Sequence, residues 1–568
     1  MKILGVRFGH DSSAALIVDG EIIADVSEER FSRVKNDTSF PVKSIIYCLE
    51  FGGIKSEDLD VLAIPTKTYQ KEFGVFFDIP KENIPAQDIS LKQKGKNYIK
   101  KVIEKKDDLP VLPLYQKQLK LSKNCKIELV EHHLAHISSA AYTSGIDINE
   151  NVLGVTIDGI GDGTSVAVWQ VQNNKIKNIV RFDGSGSLGW FYANSTEAMG
   201  WRHGSEEWKV MGFAPYGAAK NGLLKGYYPE YKDGKLVKPH NYGEFGRWKD
   251  HGSNHYHGED SVPMSKIFNI IKPEDFSAEV QRVSEEQAFE IILPWLKKQN
   301  TKYLVCAGGF FMNVKFNQNL WYKNILDTQW IYPNPGDAGL AVGACLNVYY
   351  KNNTKLQHKQ LDNLYFGPEY SNDEIKVILD DRAIDYTYYE NIEDETAKYL
   401  VDNLAVGWFQ GRMEAGPRAL GNRSILMSPL DPKNKDKINA KVKYREKFRP
   451  FCPSIADEMY DEYLVNPRDE LFMVSSFEAK AGIKERIPAV VHEDNTARPQ
   501  RVKADINQRY HKLITAFGKI TGESILLNTS FNIKGEPVIC NPREAIKCFY
   551  DTGLDILVLG NYLIRKKI

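Results

Sequence analysis

Three of the chain's 12 histidines fall in one five-residue window, His132-His133-Leu134-Ala135-His136. On a helix, His132 and His136 share one face, a turn apart. Two imidazoles so placed can grip one divalent cation, with carboxylates from neighbouring elements completing the site. Asp158 ends an apolar run and opens the Gly-rich turn Asp158-Gly159-Ile160-Gly161-Asp162-Gly163, so its side chain is presented at a strand tip. Asp337 sits in Pro335-Gly336-Asp337-Ala338-Gly339, ahead of a small, apolar helix. Two His and two carboxylates suit Fe(II), Mn or Zn. An isolated HxxxH also occurs on ordinary surface helices, and Asp337 alone reads equally well as an N-cap.

Other residues of the first half carry chemistry more weakly. His10 and Asp11 stand at the first strand turn, where an imidazole could take a proton from an attacking hydroxyl near neutral pH. Gly308-Gly309, between a strand and Asn313, lets backbone approach a nucleotide closely. Glu207 and Lys209 pair an acid and a base beside the bend Gly212-Phe213-Ala214-Pro215-Tyr216-Gly217. In the second half, Arg412, Arg418 and Arg423 fall within twelve residues interleaved with Gly, and Lys443, Arg445, Lys447 and Arg449 follow. Arg grips phosphate bidentately and Gly frees backbone N–H groups for anions, so this cluster favours a polyphosphate or acyl-phosphate site. Arg498 and the run Asn528-Thr529-Ser530-Phe531-Asn532 add donors that could orient a planar carbonyl and a phosphate. No GxxxxGK[ST] is present, which excludes a P-loop ATPase.

The elements that must hold these residues follow a pattern. Residues 2–6 and 14–18 read as strands flanking a tight polar loop, Asp19-Gly20 as a hairpin turn, and residues 21–28 as a third strand. The same order recurs: strand 152–157, polar loop, strand 164–170, turn at Asn173-Asn174, strand 176–182. Such a repeat predicts two similar halves facing each other across a cleft. Residues 40–56 and 278–299 have helical spacing, 303–307 and 330–332 read as strands, and 340–350 as a helix. Residues 218–262 read as a long irregular insertion. A polar, Lys-rich stretch marks a linker at 351–363 between a first domain, 1–350, and a second α/β domain, 364–568.

The chain is 568 residues long, too long for one ordinary domain. Its 42% hydrophobic and 26% charged residues describe a globular protein. Lys+Arg 74 against Asp+Glu 74 leaves no basic field for nucleic acid, so any anion site must be a local cluster. The seven Cys are scattered without a CxxC pair and read as reduced, buried thiols. The N-terminus enters a strand directly, without a signal-peptide core, and no apolar run reaches membrane-spanning length. A cytoplasmic location is the expectation.

In order along the chain, GHDSSAALIVDG, EERFSRVK, HHLAH, IDGIGDGTS, KVMGFAPYG, NPGDAGLAVGA, GRMEAGPRALGNRSIL, KYREKFRPF, TARPQRV and LNTSFNIKGEP resemble the two-domain O-carbamoyltransferases, which include the tobramycin, cephalosporin and nodulation-factor enzymes. The resemblance implies a duplicated actin-like N-terminal domain, similar to the tRNA threonylcarbamoyladenosine transferases, and a C-terminal YrdC-like domain. It implies that ATP, supplied as Mg-ATP, and carbamoyl phosphate form carbamoyl-adenylate at Arg418, Lys443, Arg449, Arg498, Asn528 and Ser530. The carbamoyl group then passes to an acceptor hydroxyl on a sugar or secondary metabolite. That transfer would occur at a divalent metal, Fe(II) favoured with Mn and Zn open, held by His132, His136, Asp158 and Asp337. His10 would help deprotonate the acceptor, and Lys35, Glu207, Lys209, Gly308, Gly309 and Asn313 would line the intermediate's pocket. Two positions depart from the pattern: Ala415 replaces a frequent aromatic, and Trp208 a frequent Gly, where it would line the acceptor cleft. The alternatives are a tRNA-modifying transferase, an actin-like ATPase or sugar kinase, and a non-catalytic nucleotide sensor.

Overall fold

A computed structural model describes residues 1–85, 119–239, 258–444 and 451–566. The first half contains two five-stranded sheets with one plan. In the first, β1 (Lys2–Arg7), β2 (Ser13–Val18), β3 (Glu21–Ser27), β4 (Val61–Ile64) and β5 (Lys126–Leu129) take the order β3-β2-β1-β4-β5. The second has β6 (Val152–Gly161), β7 (Thr164–Gln172), β8 (Lys175–Phe182), β9 (Tyr303–Ala307) and β10 (Thr328–Ile331) in the order β8-β7-β6-β9-β10. In both, the first three strands form an antiparallel meander and the last two add in parallel. This is the duplication that the repeat predicts. The hairpin turns follow from their residues: Asp19 and Gly20 have φ 49° and 90°, Asn173 and Asn174 both 53°, the left-handed pair that Asn, Asp and Gly tolerate.

Helices bury the sheet faces. α1 is Val42–Phe51, α2 His132–Ala141, α3 Leu188–Ala198, α4 Glu207–Phe213, α5 Pro273–Gln299, α6 Val314–Trp321 and α7 Leu340–Asn352. α7 carries small residues on the faces it buries. A Cβ on Gly5 of β1 would lie 2.2 Å from the Ala341 carbonyl oxygen, and one on Gly343 would lie 2.0 Å from the Ala135 carbonyl oxygen of α2. α7 therefore touches both β1 and α2 backbone to backbone.

The second half holds one eight-stranded mixed sheet, in line with the α/β expectation. Its strands are β11 (Thr387–Tyr388), β12 (Val406–Phe409), β13 (Arg423–Met427), β14 (Cys452–Ala456), β15 (Gln500–Val502), β16 (Ile525–Ser530), β17 (Ile556–Leu559) and β18 (Tyr562–Arg565), ordered β11-β18-β17-β12-β13-β16-β14-β15.

Several boundaries differ from the sequence reading. β6 runs on past Ile157 to Gly161, its register slipping where the chain turns, because Gly161 pairs with Thr164. α5 begins at Pro273, five residues earlier than read, since Pro at the first turn needs no donor. α7 ends at Asn352, inside the stretch read as linker, and Leu361 then donates to the Thr143 carbonyl. The insertion at 218–262 is not wholly irregular: Glu230–Lys232 and Lys235–Lys238 pair as a hairpin, and Gly258–Phe268 is helical. Residues 240–257 of it lie outside the described residues.

The halves share packing. Leu364, Phe366, Leu420 and residues 471–474 join the hydrophobic cluster centred on the second sheet. Arginines of the first half donate to main-chain carbonyls of the second. Arg30 Nη2 reaches Gly416 O at 2.8 Å, and Arg33 reaches Val538 O and Pro537 O at 2.7 and 2.8 Å. Arg412 returns the contact to Ile23 O at 2.9 Å. Among the described residues, no helix is long and apolar enough to cross a membrane.

Candidate functional site: a histidine–carboxylate centre and an arginine chamber

Glu131 starts α2 by accepting the Leu134 N–H at 2.8 Å, and Arg181 holds that carboxylate at 2.8 Å. The helix that follows puts His132 and His136 on one face and buries both. Their Nε2 atoms meet Asp158 Oδ2 at 3.1 and 3.3 Å and Asp337 Oδ1 at 3.6 Å each. The four ligand atoms all lie within 4.8 Å of one another. Asp158 is fixed by its other oxygen, which accepts the Gly309 N–H at 3.1 Å. Asp337 is fixed by Arg7, whose Nη2 sits 2.6 Å from Oδ2. The Asp337 carboxylate caps no helix; Gly339 occupies the N-cap of α7.

Electrostatics fit these residues to a cation. Burial works against ionising Asp158, but hydrogen bonds from His132 and His136 overcome it and hold the carboxyl well below its usual range. Burial likewise opposes ionisation of Asp337, and Arg7 and His132 overcome it. Burial pushes the His136 imidazole down, yet the two carboxylates hold it up at about 9. A site that raises a buried imidazole this far is short of positive charge, and a divalent ion would supply it. The third histidine of the window does other work. His133 is fully buried, bonded to Thr156 Oγ1 and Thr164 O at 2.9 Å each, and burial keeps it neutral.

The second cluster has the opposite character. Arg418 is pushed down to about 9 by burial and by the neighbouring Arg498. Arg498 aims Nε and Nη2 at Cys452 Sγ, 3.0 and 2.7 Å away. Cys452 stands opposite Asn528 across the β14–β16 pair. Asn528 donates to Ala419 O at 3.1 Å, while its own carbonyl oxygen is buried without a donor. Lys443 is fully buried, with Nζ 2.7 Å from Asn532 Oδ1 and 3.3 Å from Ser530 Oγ. Two adjacent guanidiniums beside a row of amides and hydroxyls describe an anion site, while the Lys443 ammonium is also held by the main-chain carbonyls of Ser530 and Asn532. Arg498 and Cys452 also line a cleft of about 450 Å³ whose other wall comes from the first half, with Gln281 and Lys315.

Two family models cover this chain: the carbamoyltransferase N-terminus matches residues 2–346 and the carbamoyltransferase C-terminus residues 397–566. The chain belongs to the carbamoyltransferase family. Nodulation protein NolNO of Sinorhizobium fredii is 34% identical over 571 residues, covering 99% of this chain and 79% of that protein. An uncharacterized Synechocystis protein, sll1178, is 32% identical over 611 residues, covering 99% and 96%. A solved structure of full-length HypF, in a phosphate- and nucleotide-bound form, shares 12% identity at a TM-score of 0.34 and covers 61% of this chain and 55% of that one.

The remaining sequence-derived residues of the first half lie on several of its elements. Gly308, at φ 103°, leaves no room for a side chain: a Cβ would lie 2.3 Å from Ile157 O. The turn from Gly309 to Asn313 then leads from Asp158 toward the cleft, where Asn313 and Gln281 exchange two hydrogen bonds of 3.0 Å. His10 is half exposed, with Nε2 3.4 Å from Asp11. Gly204 approaches the His10 ring, and its N–H binds the Glu207 carboxylate. Burial raises that carboxyl against its backbone hydrogen bonds and the nearby His203 and His10. Lys209 is paired with Glu206 and lies 5.7 Å from the Trp208 ring, and Trp208 Nε1 donates to Ser205 O at 2.9 Å. Lys35 is exposed. Arg445, Lys447 and Arg449 lie outside the described residues.

Two arginines read as anion ligands are spent elsewhere. Arg423 is fully buried, donating to the carbonyls of Gln410, Gly411, Asn422 and Pro368. Arg412 donates to Gly367, Phe366 and Ile23. Main-chain carbonyls satisfy both before any ligand could. The sequence reading missed three organising residues. Arg7 holds Asp337. Asp162 accepts the His132 and Lys67 N–H groups at 2.9 Å each. Glu414 accepts the N–H groups of Leu420, Asn422 and Arg423, shaping the loop that carries Arg418. Asp162 was within view, as the second acid of the same Gly-rich turn.

Proposed function

We propose that this protein is an ATP-dependent O-carbamoyltransferase working in two steps. In the C-terminal half, taken as 364–568, ATP, carbamoyl phosphate and one water give carbamoyl-adenylate, pyrophosphate and phosphate. In the N-terminal half, taken as 1–350, the acceptor oxygen bonds to the carbamoyl carbon. The bond from that carbon to the AMP oxygen breaks, and AMP leaves with the electron pair. The observation that carries this reading is the presence, in one carbamoyltransferase chain, of a carboxylate-rich centre in the first half and an arginine cluster in the second that lines a cleft walled by both halves.

Arg418 and Arg498 grip phosphate, and Arg449 belongs with them in this reading. Lys443 screens the charge that builds between two phosphoryl groups, and Asn528 and Ser530 orient the planar carbamoyl. His132, His136, Asp158 and Asp337 would hold a divalent ion, with Fe(II) favoured. When bound, the ion supplies Lewis acidity to an oxygen of the intermediate. His10 takes the acceptor proton, Glu207 and Lys209 bound its approach, and Lys35, Gly308, Gly309 and Asn313 surround the nucleotide. The acceptor is a hydroxyl of a sugar or secondary metabolite, in the cytoplasm. The balanced charge favours a small acceptor over nucleic acid. Incubation with ATP, carbamoyl phosphate and a panel of hydroxylated acceptors, followed by mass spectrometry, should show one added carbamoyl and released AMP. ADP and a phosphorylated acceptor would instead identify a kinase.

A further inference from the structure

Lys35 aside, the EERFSRVK segment has no part in the proposed chemistry, yet its Arg30 reaches the loop that carries Arg418. Arg30 comes from a single helical turn, Glu29–Ser32, in the first half. It is 5% exposed, and its Nη2 donates to the Gly416 carbonyl 2.8 Å away. Its Nη1 is buried without an acceptor, and the nearest carboxylate, Glu29, is 3.6 Å off. A buried guanidinium is costly unless it is well bonded. Among the described residues, the Gly416 carbonyl takes the one hydrogen bond from Nη2 and Nη1. Gly416 lies two residues before Arg418 and has φ 84°, a conformation that glycine favours. It is hemmed in on another side by Asn334, whose Cβ a Gly416 Cβ would approach to 3.2 Å. Asn334 belongs to the loop that ends in Asp337. Gly416 is thus a fixed point between the loop bearing the anion-site arginine and the loop bearing a carboxylate of the other centre, and Arg30 ties it down.

We propose that Arg30 is a positioning residue for the carbamoyl-phosphate site: by holding the Gly416 carbonyl, it sets where the Arg418 guanidinium stands. This rests on the reading that Arg418 binds the phosphate of carbamoyl phosphate. The test compares full-length wild type with Arg30→Met and Arg30→Lys, following pyrophosphate release as carbamoyl phosphate and ATP are varied separately. Arg30→Met should raise the KM for carbamoyl phosphate about tenfold, the loss of one well-placed charged contact, and leave the KM for ATP within about twofold. Arg30→Lys, which returns a charged donor, should recover most of that loss. Unchanged constants in Arg30→Met would overturn the proposal. So would an equal loss for both substrates with a lowered melting temperature and no rescue by Lys. If wild type itself releases no pyrophosphate with carbamoyl phosphate, the two-step reading fails. The inference is then decided by calorimetric titration with inorganic phosphate, which Arg30→Met should bind about tenfold more weakly; equal binding would reject it.

Discussion

In the proposed reading His136 and Arg498 serve different steps, and each can be removed separately. His136→Ala should lose the bound divalent ion, read by elemental analysis. It should abolish transfer to acceptor while pyrophosphate release persists. Arg498→Ala should do the reverse, cutting pyrophosphate release by about 10²-fold or more while metal content stays at the wild-type level. A different residue governs pH. Asp25 is fully buried on β3, and burial alone raises its carboxyl to about 7. The folded value lies above the unfolded one, so its contribution to stability is complete below about pH 4 and is lost as pH rises toward 7. Asp25→Asn should therefore stabilise the protein by roughly 2–3 kcal/mol more at pH 8 than at pH 5, at about 1.4 kcal/mol per pH unit. Chemical denaturation at the two pH values measures it. The candidate ligands were legible because HxxxH and acids in Gly-rich turns are local signals. Arg7 and Glu414 were not, because their roles depend on partners distant in sequence or on backbone direction inside a loop.

At the scale of elements, the strand–loop–strand repeat was readable, since hairpin turns announce themselves through Asp-Gly and Asn-Asn. The backbone contact of α7 was not. Alanine- and glycine-rich helices look merely weak in sequence, and nothing in Gly343 says that the Ala135 carbonyl will stand against it. Gly343→Ala forces α7 away from the helix bearing both histidines. An overpacking cost of about 1–3 kcal/mol is expected, seen as a lower melting temperature together with reduced metal content. Gly161 makes the same point more locally. A Cβ there would fall 2.1 Å from the His132 ring, so Gly161→Ala should weaken metal retention more than its turn position alone suggests.

At the scale of the whole molecule, the cleft between the halves is bridged by Lys315 Nζ and Asp494, 2.6 Å apart. Burial works against ionising Asp494, and contacts from His492 and Lys315 reverse that. If the proposed intermediate crosses this cleft, Lys315→Ala should loosen it, so that the ratio of AMP to carbamoylated product rises above that of wild type. Quantifying both in one reaction tests it. The pairing of halves was invisible beforehand, because Arg30, Arg33 and Arg412 grasp carbonyl oxygens, and every residue type has one. That choice has an evolutionary corollary. Where the joint rests on main-chain acceptors it tolerates drift in the side chains that bear them, so Ile23 and Val538 can be exchanged for other residues of similar bulk without losing these contacts. Descendants of such a chain could remodel the outer surfaces of both halves for new acceptors and still inherit their alignment intact.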